Sequence, residues 1–168
     1  MNKKRTKQYA QYILLALLLL LFWGVQSAPQ TLLSFGAVRP VLLAAMVAVV
    51  GVVYGEMTGG IFGFFSGVLM DAYTTPSVGF HVVVLTALGM ACGLMVKHLF
   101  MNNTLSALVT VLAASLVYFT LYWLLFKVIL GGNGGMGYFF RFSLPATGYT
   151  AVCGWILLPL IRLIRRFE

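Results

Sequence analysis

The stretch Gly51-Val52-Val53-Tyr54-Gly55-Glu56-Met57-Thr58-Gly59-Gly60-Ile61-Phe62-Gly63-Phe64-Phe65-Ser66-Gly67-Val68-Leu69-Met70-Asp71 decides how this chain is read. Glycine recurs every fourth residue, at positions 51, 55, 59, 63 and 67, in an apolar run interrupted by Glu56 and closed by Asp71. Residues four apart share a helix face, and a face without side chains lets a second backbone approach closely. In lipid such contact replaces the hydrophobic drive that holds helices together in water. Gly89 and Gly93 repeat the spacing in a later run. Packing within the chain is the expected role of Gly63, Gly67, Gly89 and Gly93, with the docking of a partner helix as the second reading. A short turn at Glu56 interrupts the ladder, so the five glycines are not one continuous stripe.

The rest of the chain sets that ladder in a membrane. Of 168 residues, 61% are hydrophobic and 8% charged, against about 25% charge in a soluble domain, and mean hydropathy is +1.00. At ~20 apolar residues per crossing of a ~30 Å core, the length holds six spans in one transmembrane domain over residues 1–168, with no soluble domain beside them. A basic N-terminus, 1–10, precedes spans within about 11–163, and a basic tail follows. The first apolar run, Tyr12 to Val25, reads as a span or a signal peptide, because small residues near Ser27 and Ala28 suit cleavage; the uncleaved span is expected. Gln26 to Arg39 reads as an interfacial loop, and Pro40 opens a second span from about Val41 to Tyr54. Met57 to Ala72 would rise only ~24 Å, so the third element is expected to be short, buried or re-entrant. Asp71 to Ser77 reads as a loop containing Pro76, and Gly79 leads into a fourth span to about Val96, closed by Lys97 and His98. Asn102, Asn103 and Thr104 offer caps for a fifth helix to about Leu130. The Gly131 to Gly135 loop and a sixth span, about Phe142 to Ile161, complete the set.

Charge orients the bundle. Net charge is +8, and six spans with both termini inside would retain Lys3, Lys4, Arg5, Lys7, Lys97, Arg162, Arg165 and Arg166 on the cytoplasmic side, leaving only Arg39, Lys127 and Arg141 outside. Basic residues gathered at the chain ends point to membrane orientation and attraction of anionic lipid, not to nucleic acid.

Groups able to run a reaction are few. Glu56 and Asp71 are the only acids before Glu168, and they flank opposite ends of the third element. There is no His-Glu-x-x-His metal pair, His81 and His98 read as isolated, and Ser66 lacks the Gly-x-Ser-Gly setting of an intramembrane serine nucleophile. Cys92 and Cys153 form no metal or disulfide pattern. No enzyme, metal or cofactor is expected. Asp71 reads either as a surface loop residue bonding backbone near Thr74 and Thr75, or as an anchor that holds the loop or receives a partner's basic group. Glu56 has the same two readings, with turn capping the stronger. Tyr118, Phe119, Tyr122, Trp123 and Phe126 read first as an aromatic belt at headgroup depth and second as a docking face.

Several of these motifs together resemble a known family, the bacterial rod shape-determining membrane protein MreD. They are Arg39-Pro40 opening a span, Gly63 to Asp71, the loop Pro76-Ser77-Val78-Gly79-Phe80-His81, and Pro145, Tyr149 and Pro159 before the arginine tail. Val41 and Leu42 stand where the family more commonly has an acidic or amide residue. The resemblance implies a six-helix protein of the bacterial cytoplasmic membrane, without catalysis of its own, acting as a scaffold of the cell-elongation machinery. It implies an MreC-like bitopic partner, and through it an MreB-like filament and the glycosyltransferase and transpeptidase that build peptidoglycan. Gly63, Gly67, Asp71, Pro76, Gly79, Gly89 and Gly93 are then the packing or partner-contact candidates.

The family's fold in turn resembles the substrate-binding subunits of energy-coupling-factor vitamin importers, which supply the alternative function. Such a subunit would need a polar outer pocket, here limited to Gln30, Asp71, Tyr73 and Arg141, and commonly an Ala-x-x-x-Ala face on its first helix. Ala10 and Ala16 do not provide that spacing.

Overall fold

A computed structural model of the chain describes residues 3–27, 41–73, 79–98, 104–129, 137 and 139–166. Within them lie six helices: α1 (Lys3–Ser27), α2 (Leu42–Tyr54), α3 (Glu56–Tyr73), α4 (Phe80–His98), α5 (Thr104–Trp123) and α6 (Leu144–Arg166). α5 continues into π-helical turns over Leu124–Ile129, and α6 is preceded by similar turns over Phe139–Ser143. Four stretches are long and apolar enough to cross a membrane: Tyr9–Ser27, Phe80–Lys97, Thr104–Ile129 and Phe139–Arg165. The chain is a multi-pass membrane protein.

α2 is the axis of the bundle and touches each of the other five helices. Twelve of its thirteen residues are buried, which suits a helix that is apolar on every side. At 13 residues it rises only ~20 Å, so its unpaired terminal backbone groups fall where water is scarce. Neighbouring helices satisfy several of them. Thr150 Oγ1 of α6 accepts from Val41 N at 3.1 Å, and Gln26 Oε1 of α1 accepts from Leu43 N at 3.2 Å. At the other end Arg165 donates to the Val53 carbonyl.

Successive helices run in opposite directions, which gives the bundle two chemically distinct ends. At the basic end Gln11 of α1 donates to the Ile164 carbonyl of α6, Lys97 of α4 pairs with Glu56 of α3, and Arg162 of α6 donates to Thr104 of α5. The start of α1 and the close of α6 therefore share one end. At the aromatic end Trp23 Nε1 of α1 donates to the Leu69 carbonyl, and Phe80 packs edge to face on both Tyr122 and Phe126.

Three expectations about elements change. The break between α2 and α3 is at Gly55, whose φ of +94° is left-handed and suits glycine; Glu56 is the first residue of α3, not part of a turn. Asp71, expected in a loop, lies in the last helical turn of α3. The fifth and sixth elements end and begin in wide turns. Pro40, Asn102, Asn103, Leu130 and the 131–135 glycine run lie outside the described residues.

Candidate functional site

The α3–α4 hairpin holds most of the candidate residues, and glycine dictates how closely its helices approach. A β-carbon on Gly63 would overlap the Leu85 carbonyl, one on Gly67 the Val82 backbone, and one on Gly93 the backbone of Glu56. Gly89 faces Gly59 in the same way, and Gly59 also lies against Gly51 of α2 across the break at Gly55. The interruption of the ladder thus folds it back on itself, so that α2, α3 and α4 meet through three glycines. Each of these contacts is backbone on backbone, where no rotamer change can make room for a methyl group. Gly79 has φ +88° and precedes α4 in a conformation that β-branched residues resist.

A carboxylate pair closes each end of the hairpin, Glu56 with Lys97 and Asp71 with His81, and the two differ in burial. At the basic end Lys97 Nζ lies 2.9 Å from Glu56 Oε1, with side chains 60% and 30% exposed. At the aromatic end His81 Nδ1 lies 2.8 Å from Asp71 Oδ1, with side chains 3% and 10% exposed. His81, isolated in the sequence, is therefore Asp71's partner. The same carboxylate accepts from the His81 backbone N–H at 3.3 Å and, through Oδ2, from the Val82 N–H at 3.1 Å. Asp71 thus caps α4 from outside that helix, and its negative charge sits at the positive end of the α4 dipole. Ten residues separate the two partners, so no short-range pattern announces the pairing.

Aromatic rings enclose the pair. His81 packs beside Phe80, Tyr118 and Tyr122, with centroids 5.2, 6.1 and 6.3 Å away. Tyr118 is buried. This corrects the reading of these α5 aromatics as a belt aimed at headgroups: Tyr118 and Tyr122 turn inward over His81, and Phe126 packs on Phe80 and Tyr122. Their three- and four-residue spacing fits an inward face as well as an outward one.

The described contacts of this site tie helices together. Thr86, Thr110, Ser115, Thr120 and Thr147 each donate to the carbonyl four residues back, which satisfies a hydroxyl within its own helix. Ser66 Oγ is buried with no hydrogen-bond partner among the described residues. No group of three metal-ligating side chains occurs among the described residues. Pro76, Gln30, Arg39 and the Tyr73 and His98 side chains lie outside them.

A family model described as rod shape-determining protein MreD matches residues 6–167. The chain belongs to the MreD family. The glycine-lined hairpin, its terminal Asp71 and the Gly79 entry to α4 are thus features of an MreD protein, and the family assigns it to rod shape determination and cell wall biogenesis. No curated protein and no solved structure matches the chain.

Proposed function

We propose that this MreD family member is a non-catalytic scaffold of the cell-elongation machinery in the bacterial cytoplasmic membrane. In this reading it binds an MreC-like bitopic protein, and through it influences an MreB-like filament and the synthases that polymerise and cross-link peptidoglycan. The observation that carries the reading is the family match over residues 6–167. The chemistry of the candidate site supports it, since Asp71 and His81 engage each other and the α4 backbone. Both termini belong to the end that carries Lys97, Arg162 and Arg165, and basic flanks are retained in the cytoplasm, so both termini are cytoplasmic in this reading and the aromatic end faces outward. The glycines of the hairpin are occupied inside the chain, so a partner helix would meet the exposed apolar outer faces of the bundle instead. Purification of the tagged chain from its native membrane in mild detergent, with mass spectrometry, tests the proposal. Stoichiometric recovery of an MreC-like protein is expected; recovery of an ATPase and coupling subunit with a bound vitamin would replace it with import.

A further inference from the structure

Among the described residues the bundle's apolar wall is not the same height all round, and the short side is α3–α4. From Glu56 to Asp71 α3 rises only ~22 Å, and from His81 to Lys97 α4 rises ~24 Å, both well below a ~30 Å hydrocarbon core. The outer surface follows the same limit. Large exposed apolar side chains on α3 run from Met57 to Val68 and on α4 from Val83 to Leu94, each a rise of ~17 Å. On α5 and its π-helical continuation they run from Leu105 through Val117 to Leu124, Val128 and Ile129, with ~28 Å between Leu105 and Leu124, the first π-helical residue. On α6 they extend from Leu144 to Leu163, again ~28 Å. Composition agrees for α3, which is absent from the four stretches long and apolar enough to span, and α4 supplies the shortest of those four, 18 residues against 26 in Thr104–Ile129 and 27 in Phe139–Arg165.

A helix that is too long can tilt, but one that is too short must draw the bilayer in, extend charged side chains outward or cover itself with another protein. Lys97 is held on Glu56, and Asp71 on His81 and the α4 backbone, so neither is released to extend along the normal. α2 cannot make up the height, since it is shorter still and lies behind this wall. We infer that the α3–α4 face gathers a locally thinned bilayer and selects phospholipids with short acyl chains, while the α5–α6 face accepts a bilayer of ordinary thickness. The chain thereby imposes a thickness step across its own width.

The test is reconstitution of the full chain in phosphatidylcholine vesicles whose chain length increases from about 14 to about 20 carbons, bracketing a ~30 Å core. Melting temperature is expected to peak in the thinner bilayers and to fall by about 2–4 °C per two-carbon step beyond the peak. Replacing the exposed pair, Glu56→Leu with Lys97→Leu, lengthens the wall at the basic end and is expected to move the peak to longer chains. A wild-type peak at about 18 carbons or beyond, a flat profile, or a double variant that melts normally with an unmoved peak would overturn the inference. A second measurement bypasses stability: Phe65→Trp on α3 and Leu112→Trp on α5, read above the wild-type background, in mixtures where either the short-chain or the long-chain lipid is brominated. Preferential quenching by short-chain lipid at position 65 and not at 112 is expected. Equal quenching at both positions, or crosslinking of a second copy over Phe65 in every lipid, would overturn it.

Discussion

The α3–α4 hairpin and the α5–α6 pair are both antiparallel helix pairs packed on α2, and they are held by opposite means. In the hairpin, missing side chains bring backbones together: Gly63 on Leu85, Gly67 on Val82, Gly89 on Gly59. Between α5 and α6, side chains fill the space. Gly154 meets the branched Val111 side chain rather than a main chain, and Trp123 packs on Phe139 at 5.2 Å. The hairpin also carries a carboxylate pair at each end, whereas α5 ends and α6 begins in π-helical turns at the aromatic end. Packing without side chains is close and specific but cannot adjust. Packing through side chains adjusts by rotamer, and tolerates irregular helix ends.

The largest effect that would break this contrast is at Gly63. Gly63→Leu drives a side chain into the Leu85 main chain, and the expected cost exceeds the usual ~1–3 kcal/mol of overpacking because a carbonyl cannot turn aside. Loss of the folded chain in a detergent thermal melt is the expected result. Gly148→Ala on α6 is the control, with nothing within 4 Å of its added β-carbon. There the change should be neutral, or stabilising by ~0.5–1 kcal/mol from helix propensity. Equal losses at the two sites would remove the distinction between the pairs.

Next in size is Asp71→Ala. It leaves two α4 N–H groups and the His81 ring without their shared acceptor, and breaking a buried pair costs about 3–5 kcal/mol. Asp71→Asn keeps one acceptor oxygen and should lose less. If the two variants melt together well below the parent chain, the retained oxygen contributes little and the carboxylate's charge and second oxygen carry the clasp; if both melt with the parent chain, the aromatic rings hold that end of the hairpin alone.

Much of this architecture was legible because apolar runs and glycine spacing are local signals. Six elements, their order and the packing glycines at 63, 67, 89 and 93 all follow from runs a few turns long; the short, buried character expected of the third element belongs instead to α2, with 13 residues against 18 in α3. What stayed hidden is non-local. Asp71 and His81 stand on different helices across a connection, so each reads alone as an isolated polar residue. Gln26, Thr150 and Arg165 serve the ends of α2 from other helices, and nothing in their own neighbourhoods marks that use. Tyr118 faces inward although its spacing equally fits a belt, because periodicity identifies a face without saying which neighbour covers it. The wide turns over Leu124–Ile129 have no sequence signature comparable to glycine or proline.

A smaller effect separates α1 from the hairpin it borders. Trp23 Nε1 donates to the Leu69 carbonyl at 3.2 Å, one of few polar ties on a helix whose spanning stretch is mostly exposed. Trp23→Phe keeps most of the ring and removes the donor, for an expected ~0.5–1.5 kcal/mol. Hydrogen exchange in micelles should show the loosening in α1 and spare α4. If α4 exchanges equally, α1 and the hairpin open as one unit.

The smallest effect sharpens the comparison between the hairpin's own two ends. Glu56 and Lys97 match Asp71 and His81 in distance but not in surroundings. With side chains 30% and 60% exposed, their attraction is screened by solvent and ions, and such pairs contribute about 0–1 kcal/mol. Glu56→Gln should therefore change the melting temperature little, and any change should shrink as salt rises from about 0.05 to about 0.5 M. The Asp71→Ala loss should persist across that range, because ions cannot enter the aromatic enclosure. A Glu56→Gln loss as large as that at Asp71, and equally indifferent to salt, would mean that lipid headgroups leave the basic end as dry as the aromatic one, and the two pairs would then have to be treated as equivalent clasps.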